Sequence, residues 1–329
     1  MRRPGRSREE APGRRRMLGT IPLVNGTEPT ADHVVDLTER ASYAMYDWAV
    51  PAVSRRPRRT GAAVFLGVLL LASCVTGGRT LDDPAGPAPE GRRLAAKRVE
   101  RLRVKVLTSL PHDPKAFTQG LEMAGDTLYE GTGISGRSSV RAGRPGEGPT
   151  VRAALPAPLF GEGVTVLGRT LWQLTWQNRT AIERDAKTLA ELRRVPYPDD
   201  GWGVCLQRDR RRLVTSDGSS RLTFRDPSTL AKTGEVAVAE EGRPVTELNE
   251  LECVGGAVYA NVLFTNRIVR IDPATGAVTA SIDASGLLRD DELVTGSTLN
   301  GIAAVPGTDQ FLVTGKFWPK IFRVAFVPA

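Results

Sequence analysis

Beyond residue 102 the chain alternates short apolar runs with turns rich in glycine, aspartate and proline. Runs of this kind between such turns are typical of β-strands, and no stretch keeps the apolar spacing of a helix. One short pattern occurs five times, with starts 41 to 51 residues apart, at Phe117–Leu121, Phe160–Val164, Gly201–Cys205, Leu248–Glu252 and Leu299–Ala303. The body of the chain is therefore predicted to repeat one all-β unit.

Each of these segments is followed by two further apolar runs. The second runs begin at Leu128, Leu171, Leu213, Val258 and Phe311, and the third begin at Val140, Ala181, Leu222, Ile268 and Ile321. A repeat of about 40 to 50 residues that carries four strands is the sequence signature of a propeller blade. The sequence therefore predicts an all-β, five-bladed β-propeller over residues 103–329.

The last repeat is incomplete, because the chain ends soon after Val324. An unassigned strand-like segment, Arg103–Ser109, precedes the first repeat. We expect this N-terminal strand to close the last blade, since pairing removes an open sheet edge. Residues 75–102, rich in Pro, Gly and Arg, are predicted to be a tether.

The N-terminal region has the layout of an export signal. A basic run at Arg55–Arg59 precedes an apolar core that ends in Leu71-Ala-Ser-Cys74. This ending resembles the bacterial lipoprotein cleavage box, in which the cysteine receives lipid. We expect residues 60–74 to be the signal core and cleavage box, Cys74 to be lipidated, and the protein to be exported and held on the outer face of a bacterial membrane, or else secreted.

Two alternatives remain for this region. Thr60–Gly78 carries no charge and could instead act as an uncleaved signal anchor. Residues 1–59 are predicted to be a disordered basic extension and the basic part of the signal; the residues before Met45 are either an over-long gene start or a cytoplasmic tail.

The charge distribution argues against nucleic-acid binding. Residues 1–74 hold twelve Arg and seven Asp or Glu, so +5 of the chain's +8 lies there. The body has no basic block with interleaved aromatic residues, and no nucleic-acid partner is expected.

After Cys74, the remaining Cys205 and Cys253 either pair or are small buried apolar residues. With His112 they are too few for a zinc site, so no catalytic metal is expected.

The repeat pattern places unusual side chains on the innermost strands of the predicted propeller. These strands carry Gln119, Glu162, Trp202 and Asn249, and the strands that follow carry Trp176 and Lys316. Aromatic residues at strand spacing commonly fill the grooves between blades, so each Trp taken alone could be packing. A glutamate, an asparagine, a lysine and two indoles around one channel indicate a binding or catalytic site.

The same residues lie in motifs that resemble the plant and bacterial type of glutaminyl cyclase, the glutamine cyclotransferase family. The resemblance extends from about Val104 to Val324 and rests on eight ordered motifs: Pro111–Leu121, Tyr129–Gly133, Phe160–Val164, Gln173–Trp176, Gly201–Gly203, Ser216–Ser219, Leu248–Glu252 and Gly315–Lys320. It implies a five-bladed fold, a site at the channel mouth, and cyclisation of N-terminal glutamine of peptides or proteins to pyroglutamate with release of ammonia.

The resemblance also implies roles for single residues. It makes Glu162 the acid and base, with Asn249 and Lys316 as catalytic polar residues. The substrate-binding residues it implies are Phe117, Gln119, Phe160, Trp176 and Trp202. Leu263 departs from the family, which has a third indole at this position, and the change bears on substrate affinity more than on chemistry.

The chemistry agrees with this set of residues. The attacking α-amine and the γ-carboxamide belong to one residue, so proximity, which can contribute about 7–11 kcal/mol, is largely built into the substrate. One placed carboxylate can take the amine proton and later protonate the leaving ammonia. No covalent nucleophile and no cofactor are needed, and the enzyme is expected to act as a monomer.

Other interpretations stay open at this point. A propeller can be a non-enzymatic module that binds a ligand or partner, or a hydrolase that holds catalytic calcium. Glu250 and Glu252 face one side of a strand and could bind a structural cation in the channel, although a hydrogen-bonded or solvated pair is favoured. His112 lies in a predicted turn and is expected to make structural hydrogen bonds.

Overall fold

The structure is a computed structural model that describes residues 98–329. The regular secondary structure of these residues is almost entirely β-strand, with two single-turn 3-10 helices at Arg208–Arg210 and Asp290–Glu292. The predicted extension 1–59, the signal segment 60–74 with Cys74, and the tether up to residue 97 lie outside the described residues. Within 98–329, no helix has the length and apolarity that crossing a bilayer requires.

Three sheets contain four antiparallel strands each, paired in chain order. The first sheet contains β2 (Thr118–Ala124), β3 (Thr127–Thr132), β4 (Ser139–Gly143) and β5 (Val151–Ala154). The second contains β6 (Gly161–Leu167), β7 (Thr170–Thr175), β8 (Thr180–Asp185) and β9 (Glu191–Pro196). The third contains β10 (Val204–Gln207), β11 (Arg212–Thr215), β12 (Arg221–Arg225) and β13 (Lys232–Ala237).

A short hairpin and one large sheet complete the fold of the described residues. The hairpin, which the repeat pattern did not predict, pairs β14 (Ala239–Glu240) with β15 (Arg243–Pro244). The large sheet contains β16 (Leu248–Val254), β17 (Ala257–Val262), β18 (Arg267–Ile271), β19 (Val278–Asp283), β20 (Thr298–Ala304), β21 (Gln310–Lys316), β22 (Lys320–Pro328) and β1 (Glu100–Pro111).

The N-terminal strand pairs with the last strand of the chain, as predicted. Strand β1 runs antiparallel to β22 from Leu102 to Pro111. It is longer than the sequence suggested, and its first residues, Glu100 to Arg103, also pair in parallel with β19. This second pairing joins the fourth and fifth repeats into one eight-stranded sheet, in the order β16-β17-β18-β19-β1-β22-β21-β20, and it covers two edges that would otherwise be open.

The first strand of each repeat lies beside the first strands of its neighbours. Strand β2 contacts β6 and β20, β10 contacts β6 and β16, and β16 contacts β20, so the contacts form a closed series. We call β2, β6, β10, β16 and β20 the inner strands.

Apolar faces of neighbouring sheets pack against each other and form the core. Between the third and the large sheet, Val214, Phe224, Leu251 and Val258 belong to one buried cluster. A disulfide joins Cys205 on β10 to Cys253 on β16, which decides between the two alternatives left open by the sequence. Its 48-residue separation corresponds to about 4 kcal/mol of lost denatured-state entropy.

Candidate active site

Four inner strands are irregular, three of them at a residue predicted from the sequence. The strand register shifts between Thr118 and Gly120, between Gly161 and Val164, between Leu248 and Leu251, and between Leu299 and Ile302. Such bulges turn a side chain out of the regular alternation of a strand and are frequent next to active sites. The side chains carried by these irregular segments include Gln119, Glu162, Asn249 and Asn300.

Glycine after the bulged residue lets adjacent inner strands approach closely. A Cβ atom on Gly163 would lie 2.5 Å from the carbonyl oxygen of Trp202, and one on Gly203 would lie 2.2 Å from that of Asn249. No larger residue fits at these two positions. The close approach brings Glu162, Trp202 and Asn249, which lie on successive repeats, to one end of the inner strands.

Glu162 is the buried acid of this group, with 3% of its surface exposed. The Nε2 of Gln119 donates a hydrogen bond of 2.8 Å to its Oε1. Burial raises the pKa of Glu162 well above its ordinary value; the charge of Lys316 opposes this shift and that of Asp200 adds to it. A carboxyl group tuned in this way can both accept and return a proton near neutral pH.

Lys316, the last residue of β21, is buried in the same site. Burial lowers the pKa of Lys316 to about 8, and attraction to Glu162 limits the fall. At neutral pH a lysine with this pKa is still mostly an ammonium, so Lys316 presents a positive charge to Glu162. The ammonium nitrogen of Lys316 also lies 4.7 Å from the ring centre of Phe117, within range of a cation–π interaction.

Aromatic side chains form one wall of the site. Phe117 and Phe160 meet edge to face with their ring centres 6.1 Å apart, and Phe160 meets Trp176 in the same way at 5.5 Å. Phe317, which was not among the predicted residues, packs at 5.1 Å from Phe117. Its place directly after Lys316 in the Gly315–Lys320 motif is the sequence signal that could have identified it.

The half-exposed Trp202 lies on the neighbouring repeat and packs against Gly218. A Cβ atom on Gly218 would lie 2.5 Å from the Trp202 ring, and the backbone there has a positive φ of 80°, which favours glycine. Leu263, at the position of the missing indole, is buried. Its backbone N–H donates to the carbonyl of Glu247, which is itself bonded to Gly218.

Asn249 is held through its backbone. Its carbonyl oxygen accepts a hydrogen bond from Ser216 Oγ, which in turn accepts one of 2.8 Å from the N–H of Gly203. The side-chain Oδ1 of Asn249 is buried and has no hydrogen-bond partner within residues 98–329. Ser216, the first residue of the Ser216–Ser219 motif, therefore positions the backbone of Asn249 and does not bond its side-chain oxygen.

Asn300 is the site residue that the sequence predictions missed. It is fully buried, and its Nδ2 donates hydrogen bonds to the carbonyl of Thr118, at 2.9 Å, and to Oε1 of Gln119, at 3.3 Å. Because Oε1 of Gln119 accepts here, its Nε2 is the atom left to face Glu162. The available signal was a residue directly before glycine, which Asn300 shares with Gln119, Glu162 and Trp202.

His112 lies outside this group and makes the structural hydrogen bonds predicted for it. Its ring nitrogens contact the carbonyl of Trp318 at 2.7 Å and Glu130 at 3.1 Å. Burial lowers the pKa of His112, but the Glu130 carboxylate and the hydrogen bond to the Trp318 carbonyl together outweigh that effect, and the pKa is raised. Burial likewise favours the neutral form of Glu130, yet the charges of His112 and Arg141 bring its pKa to about 2.

The other inner-strand carboxylates bind backbone groups. Glu250 accepts hydrogen bonds from the N–H groups of Leu121, at 3.1 Å, and Ile302, at 2.7 Å. Glu252 accepts one of 3.0 Å from Ala304. The favoured interpretation of Glu250 and Glu252 as hydrogen-bonded is confirmed. Across residues 98–329, no group of three or more His, Cys, Asp or Glu side chains is arranged to hold a metal ion.

The chain is similar to known proteins over this region. Residues 83–326 match the family model described as glutamine cyclotransferase. Glutaminyl-peptide cyclotransferase of Arabidopsis thaliana is 40% identical over 228 residues, covering 67% of this chain and 70% of the plant protein. The crystal structure of Myxococcus xanthus glutaminyl cyclase matches with a TM-score of 0.64 and 34% identity, covering 70% of this chain and all of the bacterial one. The chain therefore belongs to the glutamine cyclotransferase family.

Proposed function

We propose that this protein cyclises the N-terminal glutamine of peptides or proteins to pyroglutamate and releases ammonia. The observation that carries the proposal is the buried Glu162, bonded to Gln119 and facing the charge of Lys316 beside an aromatic wall. Family membership supports the same reaction. The enzyme is then an acyltransferase of the aminoacyl-transferring kind, acting within one residue of its substrate.

Glu162 is the proton shuttle in this proposal. Its carboxylate takes a proton from the α-amine as the amine nitrogen attacks the γ-carboxamide carbon and the ring C–N bond forms. The carboxyl then returns the proton to the amide nitrogen, the exocyclic C–N bond breaks, and ammonia leaves. Its raised pKa, caused by burial, allows both transfers without a second acid. Gln119 holds the carboxylate at 2.8 Å and so keeps it in place between the two steps.

Lys316 and Asn249 stabilise the charge that builds on the carboxamide oxygen. A buried ammonium and a side-chain amide donor act strongly there because the site excludes water. Phe117, Phe160, Trp176 and Trp202 hold the apolar side of the bound glutamine. The reaction needs proton transfer and charge stabilisation only, and we propose that it proceeds without a metal or other cofactor.

We propose that the five repeats are the blades of a five-bladed β-propeller. The closed series of contacts among the inner strands supports this arrangement, as does the pairing of β1 with β22. The candidate site then lies at one mouth of the central channel, where the inner strands bulge.

We also propose that the protein is an exported lipoprotein of a bacterial membrane and acts as a monomer. The order of basic run, apolar core and Leu71–Cys74 box supports lipidation of Cys74. The Cys205–Cys253 disulfide supports an oxidising compartment. Substitution Cys74→Ser should release the protein from membranes or block its processing; a variant that fractionates and migrates like the parent would contradict the proposal.

Ammonia release from a Gln-initiated dipeptide in the presence of a chelator tests the activity. A cyclase releases one ammonia and forms one pyroglutamyl product for each substrate, with or without the chelator. A calcium-dependent hydrolase does not act under these conditions, and a binding module releases nothing. Either outcome would contradict the proposed function.

A further inference from the structure

A cavity of about 330 Å³ lies next to the aromatic wall. Phe117, a residue of the aromatic wall, lines the cavity together with Gly133. The N–H of Gly133 donates to the carbonyl of Phe117 at 2.8 Å, and a Cβ atom on Gly133 would lie 2.4 Å from the Phe160 ring. The cavity is therefore continuous with the wall proposed to hold the substrate glutamine.

The lining of this cavity is strongly cationic. Arg141 is neutralised, since it forms ion pairs of 2.8 Å with both Asp113 and Glu130. Three exposed cations also line the cavity, and none of them forms an ion pair with another residue of 98–329: Lys115, Arg137 and Arg152. We call these three residues the cationic rim.

Arg152 lies directly opposite Arg141 in the pairing of β4 with β5. The carboxylates of Asp113 and Glu130 already pair with Arg141, so they are not available to neutralise Arg152. An acidic group bound in the cavity would find the three cations of the rim around it.

We infer that the cationic rim is a substrate subsite that binds an acidic side chain, aspartate or glutamate, close behind the N-terminal glutamine. This inference rests on the proposed cyclisation. Only the first residue of the peptide reacts, so the following residues continue from the aromatic wall toward solvent, and the cationic rim is exposed and shares its cavity with Phe117 of that wall. Charge complementarity of this kind speeds association and favours the matching partner, and salt screens it.

Three amidated tripeptides test the inference in the full-length protein: Gln-Glu-Ala-amide, Gln-Gln-Ala-amide as the neutral isostere, and Gln-Lys-Ala-amide. At low ionic strength we expect kcat/KM for the acidic peptide to exceed that of the neutral one by about threefold to tenfold, and the lysine peptide to fall below it. Added salt should bring the ratios toward one.

The double variant Arg137→Gln, Arg152→Gln should remove the preference and leave kcat/KM for the neutral peptide unchanged. Arg243→Gln, which removes an exposed charge from β15, is the matched control and should keep the preference. Lys115→Gln alone should reduce the preference part of the way. These side chains are exposed, so we expect folding to survive, which thermal unfolding checks.

The outcomes separate this inference from the proposed function. If no Gln peptide is converted, the proposed function fails. If the neutral peptide is converted but the acidic one has no salt-sensitive advantage, the subsite inference is wrong while cyclisation stands. An advantage that persists in the double variant, or disappears equally in Arg243→Gln, would also overturn it.

Discussion

Glu162 and Glu250 are two buried glutamates on inner strands of the same fold, and burial raises the pKa of both well above the ordinary range. Their hydrogen-bond partners differ. Glu162 is bonded by the side chain of Gln119 and faces the charge of Lys316. Glu250 is bonded by two backbone N–H groups, of Leu121 and Ile302, which belong to neighbouring inner strands.

The difference teaches how to separate a catalytic acid from a structural one. A raised pKa and deep burial are shared, so they do not identify the shuttle. Backbone donors are fixed by the sheets and leave Glu250 no freedom to exchange its proton with a substrate. Side-chain partners leave Glu162 one oxygen, Oε2, that receives no hydrogen bond from Gln119. Four experiments and a pH profile test this contrast.

Glu162→Gln should have the largest effect. The amide keeps the shape of the side chain but cannot accept and return a proton, so kcat should fall by at least about a hundredfold. Steady-state ammonia release measures kcat, and thermal unfolding provides the control for folding. A variant that keeps more than about a tenth of the parental kcat with unchanged stability would remove Glu162 from the shuttle role.

Asn300→Ala should lower kcat by about tenfold, because a lost hydrogen bond to Gln119 is worth on the order of 1.4 kcal/mol. Without Asn300, the Gln119 amide can rotate and no longer points Nε2 at Glu162. A donor lost from the carboxylate favours its neutral form, so the acidic limb of the kcat profile should move to higher pH.

Two controls accompany Asn300→Ala. In a Gln119→Ala background the second substitution should add little, because Asn300 acts through Gln119. Asn261→Ala removes an equally buried asparagine whose side chain, within residues 98–329, bonds only the N–H of Gly301, and it should not move the acidic limb. Equal pH shifts in Asn261→Ala and Asn300→Ala would mean that general loosening of β20, and not positioning, causes the effect.

Trp202→Phe should mainly raise KM, by about threefold to tenfold, with little change in kcat. The smaller ring keeps an aromatic surface on Gly218 but covers less of the bound glutamine. Substrate saturation curves with one Gln peptide measure both constants. A fall in kcat with KM unchanged would place Trp202 in the chemistry rather than in binding.

Glu250→Gln should affect activity least and stability most. Its two carboxylate oxygens each accept one backbone N–H, whereas a glutamine has only one acceptor oxygen. One buried N–H is then left without a partner, and the free energy of unfolding should fall by about 1–3 kcal/mol. Chemical denaturation measures the loss. A hundredfold fall in kcat at unchanged stability would make Glu250 part of the reaction and erase the contrast with Glu162.

Much of the fold was predictable because the repeat is local. Apolar runs such as Leu128-Tyr129 and Ile321–Val324 all lie in strands. The signals that predict a strand, which are the alternation of apolar and polar residues and the turn residues at its ends, lie within a few positions of each other. The start of β1 at Glu100 was missed because its first residues are mostly polar and exposed, and they pair with β19, far along the chain. Long-range pairing leaves no local pattern.

The sequence identified most of the residues that form the site, but it did not show which of them contact each other. The motifs pointed to Gln119 and Glu162, but the hydrogen bond between them depends on how the first two sheets approach at Gly120. Asn300 was overlooked because an asparagine before glycine also occurs in ordinary turns. Pairing of Cys205 with Cys253 likewise required the neighbouring placement of β10 and β16.

The most direct test of the central claim, that Glu162 shuttles protons under the control of Lys316, is the pH dependence of kcat in Lys316→Met. The Lys316 charge holds the pKa of Glu162 below the value that burial alone would give, so removing it should raise that pKa further. The account predicts that the acidic limb of the kcat profile moves to higher pH than in the parent. The substrate amine titrates identically in both assays, so it does not contribute to the difference. An acidic limb that stays in place or moves to lower pH, in a variant that folds normally, would contradict the account.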